Sequence, residues 1–106
     1  MKSLAAVLLA SFSLSAAAYN LTEKECYSGG NITARAAMQR DSGKAKEKLL
    51  AEAEAYKGQY NREELYDLVL RIVEDVYNMP EVSPGELGEQ FVDECVTTRG
   101  VMNSRM

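Results

Sequence analysis

Two cysteines near opposite ends of the chain, Cys26 and Cys95, are the feature that most restricts its fold. They are the only cysteines, so one intramolecular disulfide is possible, and it would close a long loop. Zinc binding is disfavoured because no histidine is present to complete a ligand set, and a redox pair normally lies closer in sequence. An intermolecular bond needs an unpaired cysteine, which the even count disfavours. We therefore predict a structural Cys26–Cys95 disulfide.

The first 18 residues have the pattern of a secretory signal peptide. Lys2 precedes an apolar segment, and small residues precede Tyr19. We predict cleavage after Ala18, which leaves residues 19–106 as a single helical domain. The alternative is an uncleaved anchor, but the apolar segment is shorter than the roughly 20 residues of a spanning helix. No cysteine follows the predicted cut, so a lipid anchor is not expected. Export to the periplasm or the medium would let a disulfide persist.

The charge of the chain restricts its partners. The formal net charge is −4, and loss of Lys2 with the signal peptide makes it one unit more negative. An acidic protein is poorly suited to bind nucleic acid or anionic lipid. No later segment is apolar enough for a membrane span. We predict a protein as the partner, and the oligomeric state is left open.

The first helix has a clear start and an ambiguous middle. Thr22 with Glu25 forms a capping-box pattern, and Gly43 suits the left-handed position after a helix. The adjacent Gly29 and Gly30 weaken a helix between these ends. The chain is therefore predicted to form four helices, or five if this glycine pair splits the first and Asn31 caps the second part.

Three further helices follow from composition and spacing. Residues 44–57 are rich in strong helix formers. Residues 61–80 have apolar side chains at i, i+3, i+4 and i+7, which predicts the central, most buried helix. A last helix is capped by Ser83 and ends at Gly100, after which the chain is predicted to fray. No alternating apolar pattern predicts strands. The fold class is therefore all-α, a small bundle with a disulfide between its first and last helices.

The sequence lacks the usual equipment of an enzyme. Histidine is absent, and neither a nucleophile elbow nor a phosphate-binding loop is present. Adjacent carboxylates point about 100° apart on a helix, so they make poor acid–base pairs. These pairs are Glu63 with Glu64, Glu74 with Asp75, and Asp93 with Glu94. We predict no catalytic residue, no metal site and no cofactor.

Exposed tyrosines are the best sequence candidates for a partner surface. Tyr56, Tyr60 and Tyr77 could form an aromatic patch. The alternative is that they lie at the edge of the core with their hydroxyls in water. Arg40 and Arg99 are predicted to be isolated, solvated cations.

Two Asn-x-Thr sequons begin at Asn20 and Asn31. Each could carry a glycan in a eukaryotic secretory pathway. Each also coincides with a helix-start signal, which needs no glycan, and the compact signal peptide favours a bacterial source. Use of the sequons stays open.

Four short motifs in the chain resemble those of a group of small exported bacterial proteins of unknown function. The motifs are Cys26, RDSG at 40–43, VYNMP at 76–80 and FVDEC at 91–95. The resemblance extends over most of residues 19–106. It implies a helical periplasmic domain with one disulfide, and it implies no particular activity.

These features predict a non-enzymatic binding or interaction module of the periplasm. The alternative is an acid-stress chaperone. Protonation of the 16 carboxylates in acid would make the net charge strongly positive and loosen the fold. The apolar face of residues 65–77 could then become exposed to unfolded clients.

Overall fold

The computed structural model describes residues 18–60, 62–98 and 100–103. Within this part of the chain the elements are β1 (Ala18–Asn20), α1 (Glu23–Asp41), α2 (Lys46–Ala55), a 3-10 turn (Lys57–Gln59), α3 (Glu63–Asn78), α4 (Pro84–Thr97) and β2 (Val101–Asn103). The predicted all-α class is confirmed, and so is the disulfide between the first and last helices. The two short strands are an addition that the sequence pattern did not predict.

Three helix ends, the start and end of α1 and the start of α4, follow the predicted local signals, whereas α2 and α3 begin without a side-chain cap. The Thr22 hydroxyl accepts a hydrogen bond from the Glu25 amide at 3.1 Å, and the Thr22 amide donates to the Glu25 carboxylate at 2.9 Å. Ser83 accepts from the Glu86 amide at 3.3 Å at the start of α4. Gly43 has a φ of 100° just after α1, a conformation that glycine adopts without steric cost. The sequence predicts these three ends correctly because a few neighbouring residues determine each of them.

Helix α1 continues through Gly29 and Gly30, so the predicted possibility of a fifth helix is wrong. Asn31 lies inside α1 and caps nothing. The physical reason is the close approach of α4. A Cβ on Gly29 would overlap the ring of Phe91, and a Cβ on Gly30 would overlap a methyl group of Val92. The packing against α4 outweighs the roughly 1 kcal/mol that each glycine costs a helix.

The Gly29 contact leads to a stability prediction. Gly29→Ala should lower the free energy of unfolding by about 1 to 2 kcal/mol, because overpacking outweighs the gain in helix propensity. Gly85→Ala on α4 is the control, since a Cβ there meets no atom within 4 Å. It should be neutral or slightly stabilising. Urea unfolding measures both variants, and equal effects would contradict the close helix approach.

Helix α1 shares the interior of the bundle with α3, whereas the sequence pattern assigned the central position to residues 61–80 alone. Helix α1 packs against both α3 and α4, whereas α3 packs mainly against α1 and α2. The sequence pattern misses this because the buried face of α1 consists of small residues. These are Cys26, Gly29, Gly30, Thr33, Ala36 and Ala37. Helix α3 supplies the aliphatic part of the core, namely Leu68, Val69, Ile72, Val73 and Val76.

Backbone hydrogen bonds and the disulfide join the two ends of the described chain at one end of the bundle. Strands β1 and β2 pair antiparallel, and the Leu21 amide donates to the Gly100 carbonyl at 2.8 Å. The Cys26 and Cys95 Cα atoms lie 5.6 Å apart, and both residues are buried. We call β1, β2, the Leu21–Gly100 contact and the disulfide the terminal clasp. The prediction that the chain frays after Gly100 is therefore wrong for residues 101–103.

The predicted signal peptide lies almost wholly outside the described residues, which begin at Ala18. Ala18 is the first residue of β1, and Tyr19 and Asn20 complete the strand. Cleavage after Ala18 would therefore remove one of the three paired positions of β1 and leave the other two. Among the helices that the structure describes, none combines the length and the apolar character needed to cross a membrane.

Candidate functional site

An open groove of about 900 Å³ runs along the junction of α1 and α4. We call it the α1–α4 groove. Its floor is made of small residues, Gly30 and Ala34 from α1 and Gly88 from α4. The helices meet closely there, since a Cβ on Gly88 would lie 2.9 Å from the Gly30 carbonyl oxygen. Tyr27, which is 52% exposed, and the half-buried Val92 provide apolar surface beside this floor.

Three exposed carboxylates of α4 also line the groove: Glu86, Glu89 and Asp93. We call them the acidic stripe. Their spacings of three and four residues place them on one helix face, over a length of about 10 Å. None of the ion pairs between described residues includes a member of the stripe. Helix α4 itself contains neither lysine nor arginine. The groove is therefore negatively charged along one wall.

The structure does not bring the three predicted tyrosines together. Tyr56 is exposed just after α2, and Tyr60 packs against Tyr66 with ring centroids 5.9 Å apart. Tyr77 lies near the far end of α3, about 20 Å along the helix axis from its start. The Tyr77 hydroxyl donates to the Lys44 carbonyl at 2.6 Å. Tyr77 thus connects α3 to the chain before α2, and the aromatic pair at the start of α3 includes Tyr66, which the sequence analysis did not select.

The Tyr77 contact leads to a prediction about alkaline pH. Burial raises the pKa of the Tyr77 hydroxyl above its ordinary value of 10.0, and the charges of Lys44 and Arg40 offset this only in part. The neutral Tyr77 hydroxyl therefore contributes its full share to the free energy of unfolding below about pH 10, and this contribution is lost as the pH rises through the raised pKa. Tyr77→Phe should cost about 1 kcal/mol at neutral pH and remove this alkaline loss. Urea unfolding at several pH values measures both effects, and Tyr56→Phe, at an exposed position, should retain the wild-type pH profile.

Arg40 is not a solvated cation, so this prediction is wrong. Its side chain is 7% exposed, and its guanidinium group donates to three backbone carbonyls, one in the last turn of α3 and two in the α3–α4 connection. The acceptors are Val76 at 3.0 Å, Met79 at 3.0 Å and Val82 at 2.8 Å. We call this set the Arg40 network. The Val76 and Met79 carbonyls also accept backbone amides, from Met79 at 3.2 Å and Val82 at 3.1 Å. Arg40 therefore adds a charged donor from α1 to this backbone segment, so its role is structural. Arg99 lies outside the described residues.

A second, smaller space lies between α1 and α3. This apolar crevice has a volume of about 100 Å³, and its lining includes Gly29, Ile32, Leu65, Leu68 and Ile72. Pockets for small molecules or cofactors usually measure about 300 to 1,000 Å³ and contain a few convergent polar groups. The crevice is too small and too apolar to match that description.

The α1–α4 groove offers exposed carboxylates beside apolar surface. Its carboxylates are exposed, whereas catalytic carboxylates are usually adjusted by burial beside a specific charge. Across the described ranges, no three side chains of His, Cys, Asp or Glu are grouped to hold a metal ion. No protein-family model, curated protein or solved structure matches this chain.

Proposed function

We propose that this protein is an exported, non-enzymatic binding module that docks a protein partner in the α1–α4 groove. The observation that carries the proposal is the groove, which combines small residues, an exposed tyrosine and an acidic stripe that lies outside the ion pairs between described residues. A buried disulfide joins the two helices that form it. Such a bond suits a protein that works in the periplasm or outside the cell.

The shape of the groove favours a macromolecule over a small ligand. Small-molecule sites usually enclose most of the ligand surface, and this groove is open along its length. Tyr27 is well placed for a protein contact, because tyrosine offers a large apolar ring and a hydroxyl that can remain hydrated. The acidic stripe would repel nucleic acid and anionic lipid, whose phosphates are negatively charged.

Affinity capture with a blocked groove tests this proposal. Residues 19–106, with the disulfide formed, serve as bait in an extract of the source cell envelope. Asn31→Trp places a bulky ring in the groove without changing the net charge, because Asn31 is an exposed lining residue. Gln59→Trp is the matched control, since Gln59 is exposed and lies outside the groove.

The expected result is one dominant protein that wild type and Gln59→Trp retain and Asn31→Trp loses. Circular dichroism and thermal unfolding establish that all three baits are folded. Equal retention by all three would show that the α1–α4 groove is not the docking surface. Recovery of no protein above background would count against a binding module altogether.

The acid-stress chaperone is a second candidate, supported by the position of α2. Helix α2 contributes no buried residue, and it packs against α3 with an ion pair between Lys46 and Glu74 at 3.1 Å. Acid weakens ion pairs that depend on carboxylates, so this contact between α2 and α3 would be lost. Release of α2 would then uncover the apolar side of α3. Helix α2 is therefore the element that the chaperone hypothesis requires to be released in acid.

Light scattering of an unfolding client protein at about pH 2 to 3 tests the chaperone candidate. The wild-type protein should suppress client aggregation there and leave it unchanged at neutral pH. Glu74→Gln imitates the protonated side chain, so it should bind a hydrophobic dye at a higher pH than wild type. An absence of suppression in acid would eliminate this candidate.

A further inference from the structure

We propose that the partner presents a cationic amphipathic α-helix to the α1–α4 groove, an inference that rests on the proposed function. The proposed function requires only that some protein docks there. The charge, the spacing and the shape of the groove restrict the chemistry of the segment that fits it.

Charge complementarity requires a basic segment. The ion pairs between described residues place four cations on carboxylates outside the acidic stripe. The cations in these pairs are Arg40, Lys44, Lys46 and Arg62. Lysine or arginine from a partner would therefore meet carboxylates that are not already compensated by one of these pairs. A second copy of this chain fits poorly, because two grooves brought face to face would oppose two acidic stripes.

The spacing of the carboxylates in the acidic stripe matches the spacing of side chains along one face of a partner helix. Glu86 and Asp93 are about 10 Å apart along α4, with Glu89 between them. Cations at i, i+3 or i+4, and i+7 of a partner helix have the same separation. Addition of a partner strand needs an open sheet edge, and both walls of the groove are helices whose backbone groups are bonded within the helix. A helix lying along the groove is therefore the mode of binding that this spacing favours.

The apolar part of the groove defines the other face of the partner helix. Gly30, Ala34 and Gly88 have little or no side chain, so a helix can lie close to the floor. Tyr27 and Val92 offer apolar contacts to its side. The partner helix should therefore have an apolar stripe toward the floor and a basic stripe toward α4.

Titration with synthetic helices tests the inference. The probes are two peptides of about 18 residues, built from alanine and leucine, with either lysine or glutamate at i, i+4 and i+7. Isothermal titration calorimetry with the disulfide-bonded protein should detect binding of the lysine peptide only. The triple variant Glu86→Gln/Glu89→Gln/Asp93→Asn should weaken that binding at least about tenfold. Asn31→Trp should weaken it as well, although the net charge is unchanged.

A matched triple variant distinguishes binding in the α1–α4 groove from a general attraction between the acidic protein and the basic peptide. The variant Glu47→Gln/Glu54→Gln/Glu81→Gln removes the same charge from exposed positions outside the groove. It should change the affinity less than about twofold at physiological salt, where exposed charges are screened. Equal weakening by both triple variants, or equal binding of both peptides, would overturn the inference.

The two proposals fail in different ways. If Asn31→Trp abolishes partner capture and the lysine peptide does not bind, the groove is a docking surface for a segment of other chemistry. If capture is unaffected by Asn31→Trp, the docking surface itself is wrong, whatever the peptides do. Thermal unfolding of each variant shows whether a loss of binding reflects the groove or a loss of fold.

Discussion

Replacement of both Cys26 and Cys95 by alanine is expected to lower the free energy of unfolding by about 4 kcal/mol. The bond joins residues 69 positions apart, so its loss releases a long loop in the unfolded chain. A loss of this size is comparable to the whole stability of many small domains. Urea unfolding of the oxidised wild type and the double variant measures the difference. The double replacement avoids a free thiol that could form bonds between molecules.

The accessibility of the disulfide provides a control for this experiment. Cys26 is 1% exposed and Cys95 is 0% exposed, so a reductant should reach the bond only when the protein opens. The rate of reduction should therefore rise with urea in parallel with unfolding. Wild type that has been reduced and alkylated should resemble the double variant. A loss below about 1 kcal/mol would contradict the entropic role of the bond.

Arg40→Ala is expected to destabilise the protein by about 3 kcal/mol. The side chain is almost fully buried and donates to the Val76, Met79 and Val82 carbonyls, which would lose a charged donor in a largely water-free place. The prediction applies to unfolding in urea at neutral pH. Arg35→Ala is the matched control, because Arg35 is exposed on the same helix. It should change stability by less than about 0.5 kcal/mol.

Arg40→Lys tests whether the stability depends on the positive charge of Arg40 or on the geometry of its hydrogen bonds. Lysine keeps the positive charge, but its compact ammonium group cannot reproduce the planar fork of a guanidinium group. It should therefore recover only part of the stability that Arg40→Ala loses. Full recovery would mean that the three directed hydrogen bonds contribute little. Equal losses for Arg35→Ala and Arg40→Ala would remove the Arg40 network as the cause.

The sequence predicted the features that depend on neighbouring residues. The Thr22–Glu25 capping box and the Ser83 cap are local hydrogen bonds, and the structure contains both. The disulfide was also predictable, because only two cysteines were present to form it. The glycine pair was misinterpreted because its reason lies in another helix. Propensity describes an isolated α1, whereas Phe91 and Val92 determine why small residues are needed there.

The Arg40 network and the α1–α4 groove were missed for the same reason. The carbonyls that Arg40 binds come from residues 36 to 42 positions further along the chain. The groove arises where two glycine-containing helices cross, and small residues give little hydrophobic periodicity. The sequence did contain one signal of this close helix contact. Glycines at 29, 30 and 88 lie within or between predicted helical segments, and they could have indicated that α1 and α4 approach closely.

The four motifs noted in the sequence are joined in pairs by the structure. Arg40 of RDSG donates to the Val76 carbonyl of VYNMP. In FVDEC, Phe91 lies against Gly29 of α1 and Cys95 is bonded to Cys26. Each motif thus contains a residue whose partner is distant in sequence. The residue types of Arg40, Phe91 and the two cysteines are therefore explained by contacts that stabilise the fold.

The terminal clasp places Ala18 opposite Asn103, so the two extremities of the described chain are neighbours in space. A short peptide linker could therefore join them into a continuous loop of backbone. New termini could then be opened in the exposed turn at Lys57–Gln59, between α2 and α3. The helices would keep their arrangement in such a circular permutant, although their order along the chain would change.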